Sequence, residues 1–143
     1  MSITATKKSQ IYHHWHLIDL KDQVLGRIST RIAEKLMGKT KPYFVRHLDC
    51  GDFVVAINAK NIVVTGRKKT QKKYYRHSGY AGGFKELTFE QLHQKDPRKI
   101  IIHAVKNMLP QNKLRQKMLA RLKVFADDNH PYQDKFTSKK STR

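Results

Sequence analysis

Two rhythms of apolar residues divide the first third of the chain. Residues 15–20, Trp-His-Leu-Ile-Asp-Leu, read as a short strand. Beyond Asp22 the period changes. Ile28, Ile32 and Leu36 recur every four residues, with Ala33 and Met37 beside them, and predict a helix over Leu25–Met37. Gly38 stands where such a helix stops. Arg27, Arg31 and Lys35 form a second stripe with the same spacing, so one face can pack on a sheet while the other meets solvent or an anion. At 53–58, Phe-Val-Val-Ala-Ile-Asn, five apolar residues follow one another without alternation. That pattern suits a parallel strand covered on both faces. Ala59-Lys60-Asn61 is a tight link to 62–65, Ile-Val-Val-Thr, which reads as another strand of the same sheet and ends at Gly66.

The second half reads mainly as helix. Thr88 is positioned to cap a short helix over 88–94. Asp96 caps a stronger one, with Pro97 in its first turn and Ile101, Ala104, Val105 and Met108 as its inward stripe. After Pro110, Asn112 caps a helix over 113–122 in which Leu114, Met118 and Leu122 face inward. Lys113, Lys117 and Arg121 make a further basic stripe there. Residues 124–126 return to a sheet edge. Strands alternating with helices predict an α/β fold, a three-layer α/β/α sandwich on a small, mostly parallel sheet. The expected organisation is a basic arm at 1–14, one globular domain at 15–126, and a polar, basic, extended tail at 127–143 that ends Lys-Lys-Ser-Thr-Arg.

Charge narrows the partners. The 143 residues carry a formal net charge of +19. No Asp or Glu lies between Asp52 and Glu86, or between Asp96 and Asp127, so the basic surface is extended rather than a single patch. The densest stretch is 67–83. Arg67, Lys68, Lys69, Lys72, Lys73 and Arg76 open it; Tyr74, Tyr75, His77 and Tyr80 are interleaved; Ser78, Gly79, Gly82 and Gly83 complete it. Cations bind phosphates and release counterions, while rings stack on bases, so this mixture points to nucleic acid. A short strand is expected within it at 74–77. Tyr74, Tyr75 and His77 either stack on bases or pack beneath the loop. The arm carries Lys7 and Lys8 and no acid over residues 1–11. It reads first as an RNA-contacting arm and second as a targeting remnant.

Candidate chemistry is sparse. The single cysteine, Cys50, allows no intrachain disulfide and has no catalytic context, so it reads as a small buried filler. Asp49 and Asp52 resemble a metal pair only until a third ligand is sought; a hydrogen-bonded turn before the strand is the simpler account. His13, His14 and His16 lack partners at zinc spacing and read as surface or RNA-facing imidazoles. The glycines around Tyr80 match neither dinucleotide nor P-loop spacing. No apolar run reaches the length of a membrane helix. The expectation is therefore no catalytic residue, no metal, no cofactor, no membrane and no small-molecule substrate.

Taken in order, these pieces resemble the large-subunit ribosomal protein L-thirteen family. Trp15 and Asp19 are followed by Leu25-Gly26-Arg27, Gly38-Lys39, Lys41-Pro42 and Asp49-x-Gly51-Asp52. Then come Asn58-Ala59, Thr65-Gly66, Lys68, Lys73-Tyr74, His77-x-Gly79-Tyr80 and Gly82-Gly83. Met108-Leu109-Pro110 and Arg121-Leu122-Lys123-Val124 close a likeness that runs to about residue 125. The resemblance implies a structural protein of the large ribosomal subunit. Such a protein binds large-subunit rRNA early in assembly, sits among neighbouring ribosomal proteins and catalyses nothing. The expected RNA-binding residues are Arg27, Lys39, Lys41, Arg67, Lys68, Lys69, Lys72, Lys73, Tyr74, Arg76, His77, Ser78, Gly79, Tyr80, Lys113, Arg115, Lys117 and Arg121. Asn107 and the run Leu114-Arg115-Gln116 depart from many bacterial members, and Asn112-Lys113-Leu114-Arg115 resembles some organellar and divergent bacterial members. The short N-terminal stretch favours a cytoplasmic, bacterial-type ribosome over a mitochondrial or other organellar one. Two rival readings are an RNA-processing enzyme built on Asp49 and Asp52, and a helix-turn-helix DNA binder over 97–122. The first lacks a cofactor or metal site, and the second leaves the preceding strands unexplained.

Overall fold

A computed structural model describes residues 6–137. Strand β1 (Trp15–Asp19) leads into helix α1 (Leu25–Met37), which returns the chain to β2 (Phe53–Ile57). A helical turn α2 (Lys68–Gln71), strands β3 (Lys73–His77) and β4 (Phe84–Thr88), and helices α3 (Phe89–Lys95) and α4 (Pro97–Met108) follow. Helix α5 (Leu114–Ala120), strand β5 (Leu122–Val124) and helix α6 (Asp134–Thr137) complete the order. The main sheet has the order β1-β2-β5 and all its pairs are parallel. Thus β2 is central, and Val54, Val55 and Ala56 are fully buried, as their unbroken apolar run implies. The chain adopts the α/β fold.

One face of the sheet carries the core. Ile28, Ile32 and Leu36 of α1 meet Ile100, Ile101 and Val105 of α4 over Val54, Ala56 and Leu122. Helix α1 ends where Gly38 enters the left-handed region at φ 76°. The inward stripe of α4 differs from the expected one by a rotation. Ile100 is fully buried and Met108 is 40% exposed, because the next residue, Leu109, plugs the core as the helix ends.

The opposite face is covered by the C-terminal segment. Trp15 stacks on Phe53 at 4.4 Å, and Tyr132 and Phe136 pack against Trp15. His130 is buried beside Phe125. The expected extended tail is therefore folded onto the sheet as far as it is described, drawn down by its aromatics. Its cations Lys139, Lys140 and Arg143, like residues 1–5, lie outside the described residues.

Residues 62–65 do not join the sheet. Ile62 and Val64 turn inward, but Val63 is 39% exposed and forms only an isolated parallel bridge with Val24. Leu25 N donates to Val63 O at 2.9 Å, and Val63 N donates to Gln23 O at 3.0 Å. The segment aligns instead with the short connection between β1 and α1, where the start of α1 leaves room for one bridge.

Candidate nucleic-acid interface

The basic stretch is a β-hairpin rather than a loop with one short strand. Strands β3 and β4 pair antiparallel, with Lys73 opposite Thr88 and His77 opposite Phe84. The hairpin is rooted where β4 runs into α3. Thr88 Oγ1 accepts from Gln91 N at 3.3 Å, while Gln91 Oε1 accepts from Thr88 N at 3.0 Å. This reciprocal cap satisfies two otherwise orphaned donors. Phe89 is buried in the core, and its N–H donates to Lys72 O at 2.8 Å.

The alternation of β3 decides which ring does what. Tyr74 and Leu87, opposite each other, pack against the core. Tyr74 meets His103 edge-on at 5.3 Å, and Lys72 Nζ lies 5.5 Å from the centre of its ring. Burial pushes the Tyr74 phenol above its ordinary pKa. Burial, with the charges of Lys72 and Lys106, holds His103 below its ordinary value. Tyr75 and His77 point outward. At the tip, His77 Nδ1 accepts from Gly79 N at 2.9 Å, Ser78 and Gly79 are exposed, and Tyr80 is 80% exposed.

Cations surround this ribbon. Arg67, Lys68, Lys69 and Arg76 are exposed, and Lys73 pairs with Glu86 at 2.9 Å on the surface. Lys68 and Lys72 also line a cleft of about 240 Å³ with Val24, Gly26 and Asn107. The first turn of α1, which holds no acidic residue, opens onto it. An anion in this cleft would meet both the lysines and the positive end of the helix.

The other expected residues divide. Arg27, Lys39, Lys113 and Lys117 are exposed. Lys117 lines a separate cleft with Lys8, His13 and His47, so the structure does not bring it together with the hairpin. Arg115 is occupied by the carbonyls of Leu109 and Pro110, each at 3.2 Å.

Lys41 and Arg121 depart from the expectation of RNA-facing cations, because each is drawn inside by a carboxylate. Arg121 is 8% exposed and forms a two-pronged pair with Asp49. Lys41 reaches Asp52, with further bonds to Tyr12 O and Cys50 O at 2.6 and 2.8 Å. Asp52 also accepts from His14 N and contacts His16 Nε2, both at 2.9 Å. Burial raises the pKa of both aspartates, but the cations and hydrogen bonds outweigh it and bring each below the usual carboxylate value. The pair thus clamps the arm and α5 to the turn before β2. Cys50 is buried within that turn. Among the described residues no group of three or more His, Cys, Asp and Glu side chains is arranged to hold a metal.

The chain matches the family described as "Ribosomal protein L13" over residues 13–131. It belongs to the ribosomal protein L13 family. Relatives are called "Large ribosomal subunit protein uL13". The one from Thermosipho africanus is 54% identical over 90% of this chain and 87% of its own length. That from Lawsonia intracellularis is 48% identical over 92% of each, and that from Thermobifida fusca 46% over 93% and 89%. The L13 match spans the whole hairpin and the Asp49–Arg121 clamp. Among the described residues no helix is long and apolar enough to cross a membrane.

Tyr75 is exposed on β3 yet absent from the expected set, and so are Phe84 and Lys85 of β4. The signal of the latter two was present in the alternation of Phe-Lys-Glu-Leu-Thr, which is strand-like once a partner at 73–77 is supposed.

Proposed function

We propose that this L13-family chain is a structural constituent of the large ribosomal subunit in a bacterial-type cytoplasm. It binds large-subunit rRNA, supports early subunit assembly, contacts neighbouring ribosomal proteins and catalyses nothing. The observation that carries the binding mode is the rooted hairpin with Arg67, Lys68, Lys69 and Arg76 exposed around it. A rigid base limits the conformational entropy lost when RNA orders the cations. Arg27, Lys39, Lys113 and Lys117 add exposed charge elsewhere, whereas Lys41 and Arg121 contribute by holding the fold.

The test is titration of a large-subunit rRNA transcript at several salt concentrations. Replacing Arg67, Lys68, Lys69 and Arg76 together by Ala should leave the circular dichroism spectrum intact. It should weaken binding and reduce the log–log salt slope by about 3 to 4 if all four touch phosphate. An unchanged slope in the folded variant would remove the hairpin from the interface. In cells, the chain should remain with large subunits through high-salt washing; its absence from them would reject the ribosomal reading.

A further inference from the structure

The outward face of the hairpin carries an aromatic surface that the phosphate-binding reading does not use. Tyr75 is 65% and Phe84 56% exposed, yet their rings stack on each other at 5.6 Å with 24° between their planes. Tyr80 stands at the tip of the same ribbon. Of the other large apolar side chains exposed among the described residues, Leu17, Val63, Ile102 and Met108 are aliphatic, and the one further ring, Tyr12, lies on the N-terminal arm. On the opposite face of the ribbon Arg76 and Lys85 are directly paired across the strands. Like charges so placed repel. Among the described residues neither has an ion-pair partner. The one acid of the hairpin, Glu86, is neutralised by Lys73.

An occupant must therefore offer flat apolar surface to one face of a thin ribbon and negative charge to the other. A single-stranded nucleotide joins the two within one unit, a planar base on a sugar-phosphate. Duplex RNA hides its base faces, and a protein segment would need acids carried round to the face behind its apolar contact. Base stacking on aromatic side chains is a common mode of single-strand recognition. We infer that Tyr75 and Phe84, with Tyr80 at the tip, form a stacking platform for an unpaired rRNA nucleobase, while Arg76 and Lys85 hold the adjoining phosphates. This rests on the rRNA-binding reading and adds to it the unpaired base and the residues that receive it.

Stacking is not ionic, so the two halves of the site separate in a salt titration. The full chain is titrated with a large-subunit rRNA transcript as wild type, as Tyr75→Ile/Phe84→Ile and as Tyr75→Phe. Isoleucine keeps apolar character and strand propensity but removes the ring. The double variant should bind about tenfold or more weaker at every salt concentration with an unchanged salt slope. Tyr75→Phe should bind as wild type does. Arg76→Gln/Lys85→Gln should instead reduce the slope by about 1 to 2. Should the double variant lose its hairpin by circular dichroism, Tyr75→Leu and Phe84→Leu are read singly by the same criterion. A folded ring-free variant that binds rRNA as tightly as wild type overturns the platform. If that variant also fails to enter the large subunit, the rings face a protein and the inference is equally overturned. Failure of the wild type to bind rRNA would sink the proposed function itself, which keeps the two outcomes apart.

Discussion

Of the glycines, Gly51 has the least room. A Cβ there would lie 1.6 Å from Leu36 O and 2.7 Å from a guanidinium nitrogen of Arg121. Backbone cannot yield by that much without moving α1, so Gly51→Ala should destabilise by about 1–3 kcal/mol or more. Urea unfolding measures this, and a variant within error of wild type would mean the turn is looser than described. Beside it, Arg121→Met leaves the half-buried Asp49 without its cation, at a cost that solvent keeps below the roughly 3–5 kcal/mol of a fully buried pair. The pH dependence has a definite sign. In the wild type Asp49 and Asp52 titrate below the usual carboxylate value. Their stabilisation is complete above the unfolded pKa of about 4 and is lost as pH falls through the folded values. In Arg121→Met the guanidinium that lowers the Asp49 pKa is gone, so the carboxyl titrates higher than in the wild type and acid relieves the penalty. The stability gap between variant and wild type should narrow as pH falls towards 4; a gap that widens contradicts the clamp. The sequence suggested a hydrogen-bonded turn at Asp49 and Asp52. It hid their partners because Arg121 is 72 residues away, and periodicity records spacing along one element only.

At the scale of elements, α1 was legible to its ends. Its stripe beyond Asp22 and the stop at Gly38 gave the same bounds. The segment at 62–65 was misread because an apolar run declares burial but not a ladder partner, and this one runs beside residues 23–25, past the end of β1, where it makes a single bridge. The hairpin was half legible. Strand β3 stood out among the rings, but β4 is mostly exposed, and its alternation acquires meaning only from its partner. Thr88 was recognised as a cap from its own chemistry, and the structure gives that cap a second role as the last rung of the hairpin. Thr88→Ala should therefore cost about 1 kcal/mol. It should also speed amide exchange along β3 and β4 more than in α1. Hydrogen exchange read residue by residue tests this, and unchanged protection in the hairpin would show that Phe89 and Tyr74 hold it without the cap.

Across the whole molecule, carboxylates and cations are sorted by depth. Asp49 and Asp52 hold Arg121 and Lys41 inside, while Arg67, Lys68, Lys69 and Arg76 stand outside. A chain with a formal charge of +19 then carries much of its excess on the surface. Self-repulsion opposes compactness, and salt screens it over roughly 10 Å at 0.1 M. The free protein should accordingly melt at a higher temperature as salt rises from about 0.05 to 0.2 M. Binding to rRNA should weaken over the same range, since counterion release drives it. Mass action links the two, because RNA that binds only the folded chain raises its melting temperature. At low salt an rRNA transcript in excess should lift the melting temperature strongly, and that lift should shrink as salt increases while the melting temperature of the free protein climbs. Thermal denaturation followed by circular dichroism near 222 nm, with and without transcript, gives both curves. A free protein whose melting temperature is flat or falls with salt would mean that its surface charges are already balanced locally. The partner would then be recognised by shape and stacking rather than by the excess of cations.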